Sequence, residues 1–118
     1  MSYKIVWTVS AENDLNEIVD YIIANGDLNN AFKIYNNIKE RADLLKISPE
    51  LGRIVPEFEV FKDKKYREII IKPWRIIYKL EKKDIKVLLV IDGRRNVEDV
   101  LFERLIKEDG AWTSDNIG

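Results

Sequence analysis

The sequence predicts an α+β fold: an N-terminal helical hairpin packed on a small, mainly antiparallel β-sheet, followed by a short C-terminal helix. Two segments early in the chain carry apolar residues at helical spacing and are joined by only a few residues. Three later runs are rich in isoleucine, valine and aromatic residues and are separated by short turn sequences. At 118 residues the chain has room for one real core. Residues 1–108 are read as a single domain and 109–118 as a flexible tail.

Residues 3–8, YKIVWT, are β-branched and aromatic, which predicts a first strand. Ser10 is placed to cap a helix in which Ala11, Leu15, Ile18, Val19, Ile22 and Ile23 share one face. Gly26 ends that helix, and Asp27 caps a second with Ala31, Ile34, Tyr35, Ile38, Ala42 and Leu45 inward. Ser48-Pro49 stops it. Residues 49–65, with two prolines and a glycine, read as a loop holding one short extended piece. Strands are expected over 66–71 (YREIII), 74–80 (WRIIYKL) and 86–91 (KVLLVI), turned by Lys72-Pro73 and by EKKD at 81–84. Asn96 then caps a helix over about 97–107, with Val97, Val100, Leu101 and Leu105 inward. The sheet face away from the hairpin is left for a ligand or for this last helix.

Composition narrows the chemistry. With 46% hydrophobic and 35% charged residues, the chain is an ordinary globular protein rather than a disordered one. No apolar run approaches the roughly 20 residues that cross a bilayer, and MSYKIVW lacks the layout of a secretory signal, so a cytoplasmic location is expected. The absence of cysteine excludes disulfides and thiolate catalysis, and the absence of histidine removes the commonest general base and metal ligand. No P-loop or dinucleotide glycine motif is present. No metal site is expected, because scattered acids without histidine make a poor ligand set.

Net charge is −1, but its distribution is uneven. Residues 51–97 hold thirteen basic and seven acidic side chains, whereas both flanks are acidic. Such an island suits an anionic ligand on one surface, and equally suits lysines decorating exposed strands. Alternation along WRIIYKL puts Trp74, Ile76, Tyr78 and Leu80 on one face and Arg75, Ile77 and Lys79 on the other. A buried guanidinium needs a partner, so Arg75 is expected to face a carboxylate (for example Glu57, Glu68 or Asp92), a carbonyl or an anionic ligand. Arg53, Arg67, Arg75, Arg94 and Arg95 all fall in the loop-and-sheet half. Their planar forks match phosphate oxygens, and Tyr66, Trp74 and Tyr78 among them offer surfaces on which a base could stack.

The opening strand with AENDLNEIVDYI, the GRIVPE of 52–57, YREIII, WRIIYK and the closing VLLVIDGRRN follow one another in an order that resembles the RelE/ParE superfamily, toxins of type II toxin–antitoxin modules. The resemblance covers about residues 3–105 and implies a compact sheet flanked by two N-terminal helices, a cognate antitoxin as partner, no cofactor and no membrane. Its nuclease branch, YoeB-like, implies metal-independent cleavage of mRNA on the ribosome by attack of a ribose 2′-hydroxyl on the adjacent phosphate. Glu57 then matches the general base and Arg75 the transition-state arginine, with Arg67 assisting and Arg53, Tyr78, Arg94 and Arg95 binding substrate. The histidine and tyrosine that branch carries at the end of its last strand are replaced here by IDGRR, in which Asp92 would act as acid only with a strongly raised pKa. The ParE-like alternative is inhibition of DNA gyrase without bond cleavage, and a third is a degenerate module that retains antitoxin binding alone.

Overall fold

The computed structural model describes residues 3–61 and 65–117, with side chains for 3–58 and 65–107. Strand β1 (Lys4–Trp7) leads into helix α1 (Val9–Ala24) and helix α2 (Leu28–Asp43), the latter extended by a 3₁₀ turn at Leu44–Lys46. A two-residue strand β2 (Arg53–Ile54) and a 3₁₀ segment (Pro56–Phe61) precede β3 (Tyr66–Ile71), β4 (Trp74–Glu81) and β5 (Asp84–Asp92). Helix α3 (Val97–Ile117) follows. The sheet runs β1-β5-β4-β3-β2, antiparallel except where β1 lies parallel to β5. Among the described residues no helix is long and apolar enough to cross a membrane.

The expected helical hairpin and antiparallel meander are both present, and three details differ. Helix α1 is capped by Thr8, whose Oγ1 accepts from the Ala11 amide, rather than by Ser10. The same hydroxyl donates to the Val87 carbonyl at 2.9 Å, so a contact with β5 selects between two good capping residues. The loop over 49–65 contains the 3₁₀ segment Pro56–Phe61 as well as the short strand. The last helix runs on past residue 107 to Ile117, through sequence expected as tail.

Both faces of the sheet are covered. The hairpin packs Ala11, Leu15, Ile38 and Leu45 on Ile69, Ile76, Tyr78, Ile85, Val87 and Val90. The opposite face gathers Val55, Tyr66, Ile77, Leu88, Leu89 and Ile91 under Val97 and Leu101 of α3. Leu88 and Leu89 are consecutive yet lie in the same cluster, because a register shift at Ile77/Tyr78 inserts an extra residue in β5. Such a bulge interrupts the strict alternation of a plain strand and lets two consecutive side chains face one side. Each fully buried leucine or isoleucine contributes about 1.5–3 kcal/mol relative to exposure, so the hairpin and α3 both bind the sheet chiefly by apolar contact.

Two junctions are polar. Tyr78 is fully buried, and its hydroxyl accepts from the Gly52 amide at 3.0 Å and donates to the Pro49 carbonyl at 2.8 Å. Gly52 has to be glycine here, since a Cβ would stand 2.7 Å from that hydroxyl and closer still to the Glu68 carbonyl. At the far edge, β1 pairs with β5 only from Asp84 to Val87. Beyond it Asp14 accepts the Val90 amide at 3.0 Å, and Arg104 donates to the Leu88 carbonyl at 2.8 Å while forking onto Asp14 at 2.7 and 2.9 Å. Side chains thus do there what a neighbouring strand would do.

Tyr78→Phe removes the hydroxyl but leaves the Gly52 amide and the Pro49 carbonyl behind. Leaving such buried groups unsatisfied costs about 1–3 kcal/mol, and urea unfolding should report a loss in that range with an unchanged denaturant slope.

Candidate functional site

Three strands and one turn bring four charges into a row. In register, Arg53 of β2 lies beside Glu68 of β3, and Ile70 of β3 lies beside Arg75 of β4. Glu68 and Arg75 therefore project on the same face, the one away from the helical hairpin. Arg53 Nε donates to Glu68 Oε2 at 2.7 Å, and Arg75 Nε donates to Glu68 Oε1 at 2.6 Å. The 3₁₀ segment folds Glu57 over the remaining end of Arg75, whose Nη1 and Nη2 donate to its two carboxylate oxygens at 3.1 and 2.7 Å. The row reads Arg53, Glu68, Arg75, Glu57, with alternating sign. Gly93 closes the turn after β5 against the aliphatic stem of Arg75: its amide donates to the Pro73 carbonyl, and a Cβ there would lie 3.2 Å from Arg75 Cδ.

The electrostatics follow from this packing. The Glu68 side chain has no solvent exposure, that of Arg75 is 12% exposed and that of Glu57 22%. The hydrogen bonds from Arg75 hold the Glu57 carboxyl below its ordinary pKa, against an opposing contribution from burial. Arg75 is in turn raised, first by its bonds to Glu57 and then by Glu68. Both groups are ionised and matched to each other. An Arg fork takes a carboxylate with the geometry it would use for a phosphate, and here the carboxylate is already in place.

The other residues singled out in the sequence lie elsewhere. Arg67 projects on the hairpin face, where its Nη1 donates to the Gly52 carbonyl at 2.9 Å and Glu50 stands 3.6 Å from its Nη2. Tyr78 is on that face too and is sealed in the core, with no ring surface open to a base. Both residues pin the loop before β2. Arg94 and Arg95 are exposed in the turn after β5. Arg94 forks back onto Asp92, which drops the Asp92 pKa to about 2, the side-chain hydrogen bond being the main cause. A carboxylate so weakly basic is ionised throughout the physiological range and has no proton to deliver to a leaving oxygen. Glu57, Arg75 and Arg53 are thus brought together, while Arg67, Tyr78, Arg94 and Arg95 stand apart from them.

Glu68 is the residue whose importance the sequence understates, since it was visible there as one of three possible partners of Arg75. Its signal is an acid at the one position in YREIII that strand alternation places beside both Arg53 and Arg75. Among the described residues no group of three or more acids is placed to hold a metal ion.

Comparison with known families decides the lineage. The family described as the ParE toxin of the type II toxin–antitoxin system, parDE, matches residues 5–97. This chain belongs to the ParE toxin family. Toxin ParE3 of Caulobacter vibrioides is 26% identical over 98 residues, covering 80% of this chain and 90% of that protein. A solved chain from the chromosomal ParDE system of P. aeruginosa superposes with a TM-score of 0.62 at 22% identity, over 77% of this chain and 96% of the other. That likeness supports the same α+β fold.

Two outcomes test the charge row. Glu68→Ala leaves the Arg75 Nε without its acceptor while Glu57 still holds the rest of the fork, and leaving a buried donor unsatisfied costs about 1–3 kcal/mol, measurable by chemical denaturation. The second is pH dependence. Because the Glu57 carboxyl is held below its ordinary 4.5, its contribution to stability is complete above pH 4.5 and is lost as the pH falls through the depressed value. In Glu57→Gln that part of the acid loss disappears, so thermal midpoints should fall less steeply below pH 4.5 than in the unsubstituted protein.

Proposed function

We propose that this ParE-family toxin acts by binding DNA gyrase, without cutting RNA, and is held in check by a cognate antitoxin. The observation that carries this reading is the closed pair of Glu57 and Arg75. For ribonuclease chemistry Glu57 would have to leave Arg75 and accept a proton from a 2′-hydroxyl, yet the same contact makes it a weaker base than a free glutamate. Arg75 would have to release both carboxylates before gripping a phosphate. Asp92, the acid nearest the place of the missing leaving-group donor, is held deprotonated by Arg94. Base, phosphate clamp and acid are each occupied in another role. Membership of the ParE family supports the same conclusion, because the ParE branch of the superfamily is the gyrase-inhibiting one.

The test is induction in a bacterial host, with mRNA 5′ ends mapped and gyrase supercoiling assayed on the purified toxin. Expected are inhibited supercoiling and no cleavage at codon positions. Glu57→Gln keeps a hydrogen-bonding group against Arg75 and should retain inhibition. Codon-position cleavage that disappears in Glu57→Gln and in Arg75→Ala would overturn the proposal in favour of the nuclease. Absence of any growth effect would instead mark a module that retains antitoxin binding alone.

A further inference from the structure

We infer that the groove between the 3₁₀ segment and α3 is where this toxin grips its protein target, and that it takes a cationic segment of gyrase bearing a large apolar side chain. This rests on the gyrase reading above and locates the surface that reading leaves open. Inhibition without bond cleavage has to come from contact alone, so the fold must carry a surface that grips the target.

The groove encloses about 330 Å³ and lies beside the row of alternating charges, with which it shares Glu57. That volume is at the small end of the range for ligand sites, about 300–1,000 Å³. Phe58 forms one wall, while Leu101, Phe102 and Leu105 form the other. Leu101 is buried and completes the core, but Phe102 is 61% exposed and Ile106, one turn further along α3, is 60% exposed. Closing the core requires neither of them, since Val97 and Leu101 already cover that face of the sheet. Two large apolar side chains one turn apart on an open helix face are anchors of the kind that helical recognition uses.

The rim decides the chemistry of the occupant. Glu57, Glu98 and Asp99 line the groove, and among the described residues no lysine or arginine does. Arg75 neutralises Glu57. Glu98 is exposed and has no ion-pair partner among the described residues, and Asp99 has only the uncharged Asn96. Both acids lie in the first turn of α3, where the helix dipole favours them, but that preference does not explain the exposed Phe102 beside them. Such a rim repels a phosphate backbone, so within a gyrase–DNA assembly the occupant is protein rather than DNA. Lysine or arginine next to a large apolar side chain satisfies rim and floor together.

The wall is fixed before the partner arrives. Two bonds from Arg75 hold Glu57, and Phe58 packs on Tyr66 with ring centroids 4.8 Å apart. A wall held in this way loses little freedom on binding, which lowers the cost of association. The ion pair that denies this chain a free base thus shapes one side of the groove.

The experiment places a photoreactive benzophenone side chain at Phe102 of the full-length toxin and irradiates it with purified gyrase and DNA, and in a parallel sample with the antitoxin of the adjoining reading frame. The expected adduct joins position 102 to a gyrase segment that carries lysine or arginine next to a large apolar residue. Glu98→Lys should weaken inhibition of supercoiling by about tenfold, the scale of an interfacial charge contact. Phe102→Ser should weaken it by at least about tenfold, the scale of a lost aromatic anchor. Thermal midpoints of the free toxin should stay unchanged, because both side chains are exposed. Unchanged inhibition in both variants, or an adduct with the antitoxin and none with gyrase, would overturn the groove while leaving the gyrase reading intact. An unsubstituted toxin without effect on supercoiling would overturn both. The adduct keeps an aromatic side chain at position 102, so it decides the matter even if Phe102→Ser does not fold.

Discussion

A carboxylate without access to water must be compensated by cations in contact with it, and Glu68 imposes that requirement on everything around it. Arg53 and Arg75 meet it from the two neighbouring strands. Arg75, itself largely enclosed, then needs a second carboxylate for its remaining donors, and Glu57 supplies one. The two-residue strand β2 has little backbone pairing to hold it, so its position beside β3 leans on the ion pair that Arg53 makes across them. Strand register is bound in the same way. A slip of one residue would turn Glu68 toward the hairpin and leave both arginines facing apolar side chains. One buried charge therefore couples the placement of β2, β3, β4 and the 3₁₀ segment.

This coupling explains why the same residues read as an active site in one context and as scaffold in another. A planar guanidinium with a carboxylate at hand is what phosphodiester chemistry uses, and it is equally what a sheet uses to fix a polar residue in its interior. The distinction lies in what fills the fork. Here it is filled from within the chain on both sides, by Glu68 and by Glu57. Tyr78 and Arg67 show the same substitution of role: both hold the loop at residues 49–52 by contacts to its backbone.

Much of the fold was legible because it is local. The periodicities of 11–23 and 31–45 and the alternation of 66–91 state which side of each element is apolar, and the structure buries those sides. What local pattern could not state is pairing at a distance. Thr8 outcompetes Ser10 as a cap because its hydroxyl also reaches Val87, 79 residues away. The parallel contact of β1 with β5 and the choice of α3 to cover the second face are likewise settled by tertiary packing. The ion pair of Arg75 was legible in outline, since burying a guanidinium demands a partner. That Glu57 and Glu68 would share it depends on the 3₁₀ fold of residues 56–61, for which the prolines and mixed charges carried no clear pattern.

The pair that closes the sheet edge joins residues 90 positions apart. Contacts of such separation come late in folding, since the loop they close must lose its freedom before they return anything. In sequence the helical hairpin and the β3–β5 meander both precede Arg104, so this pair has to wait for α3. Until α3 packs, Asp14 and the Leu88 carbonyl lack the guanidinium that joins them. Chain order thus makes the closing of this edge depend on an element that follows the whole sheet.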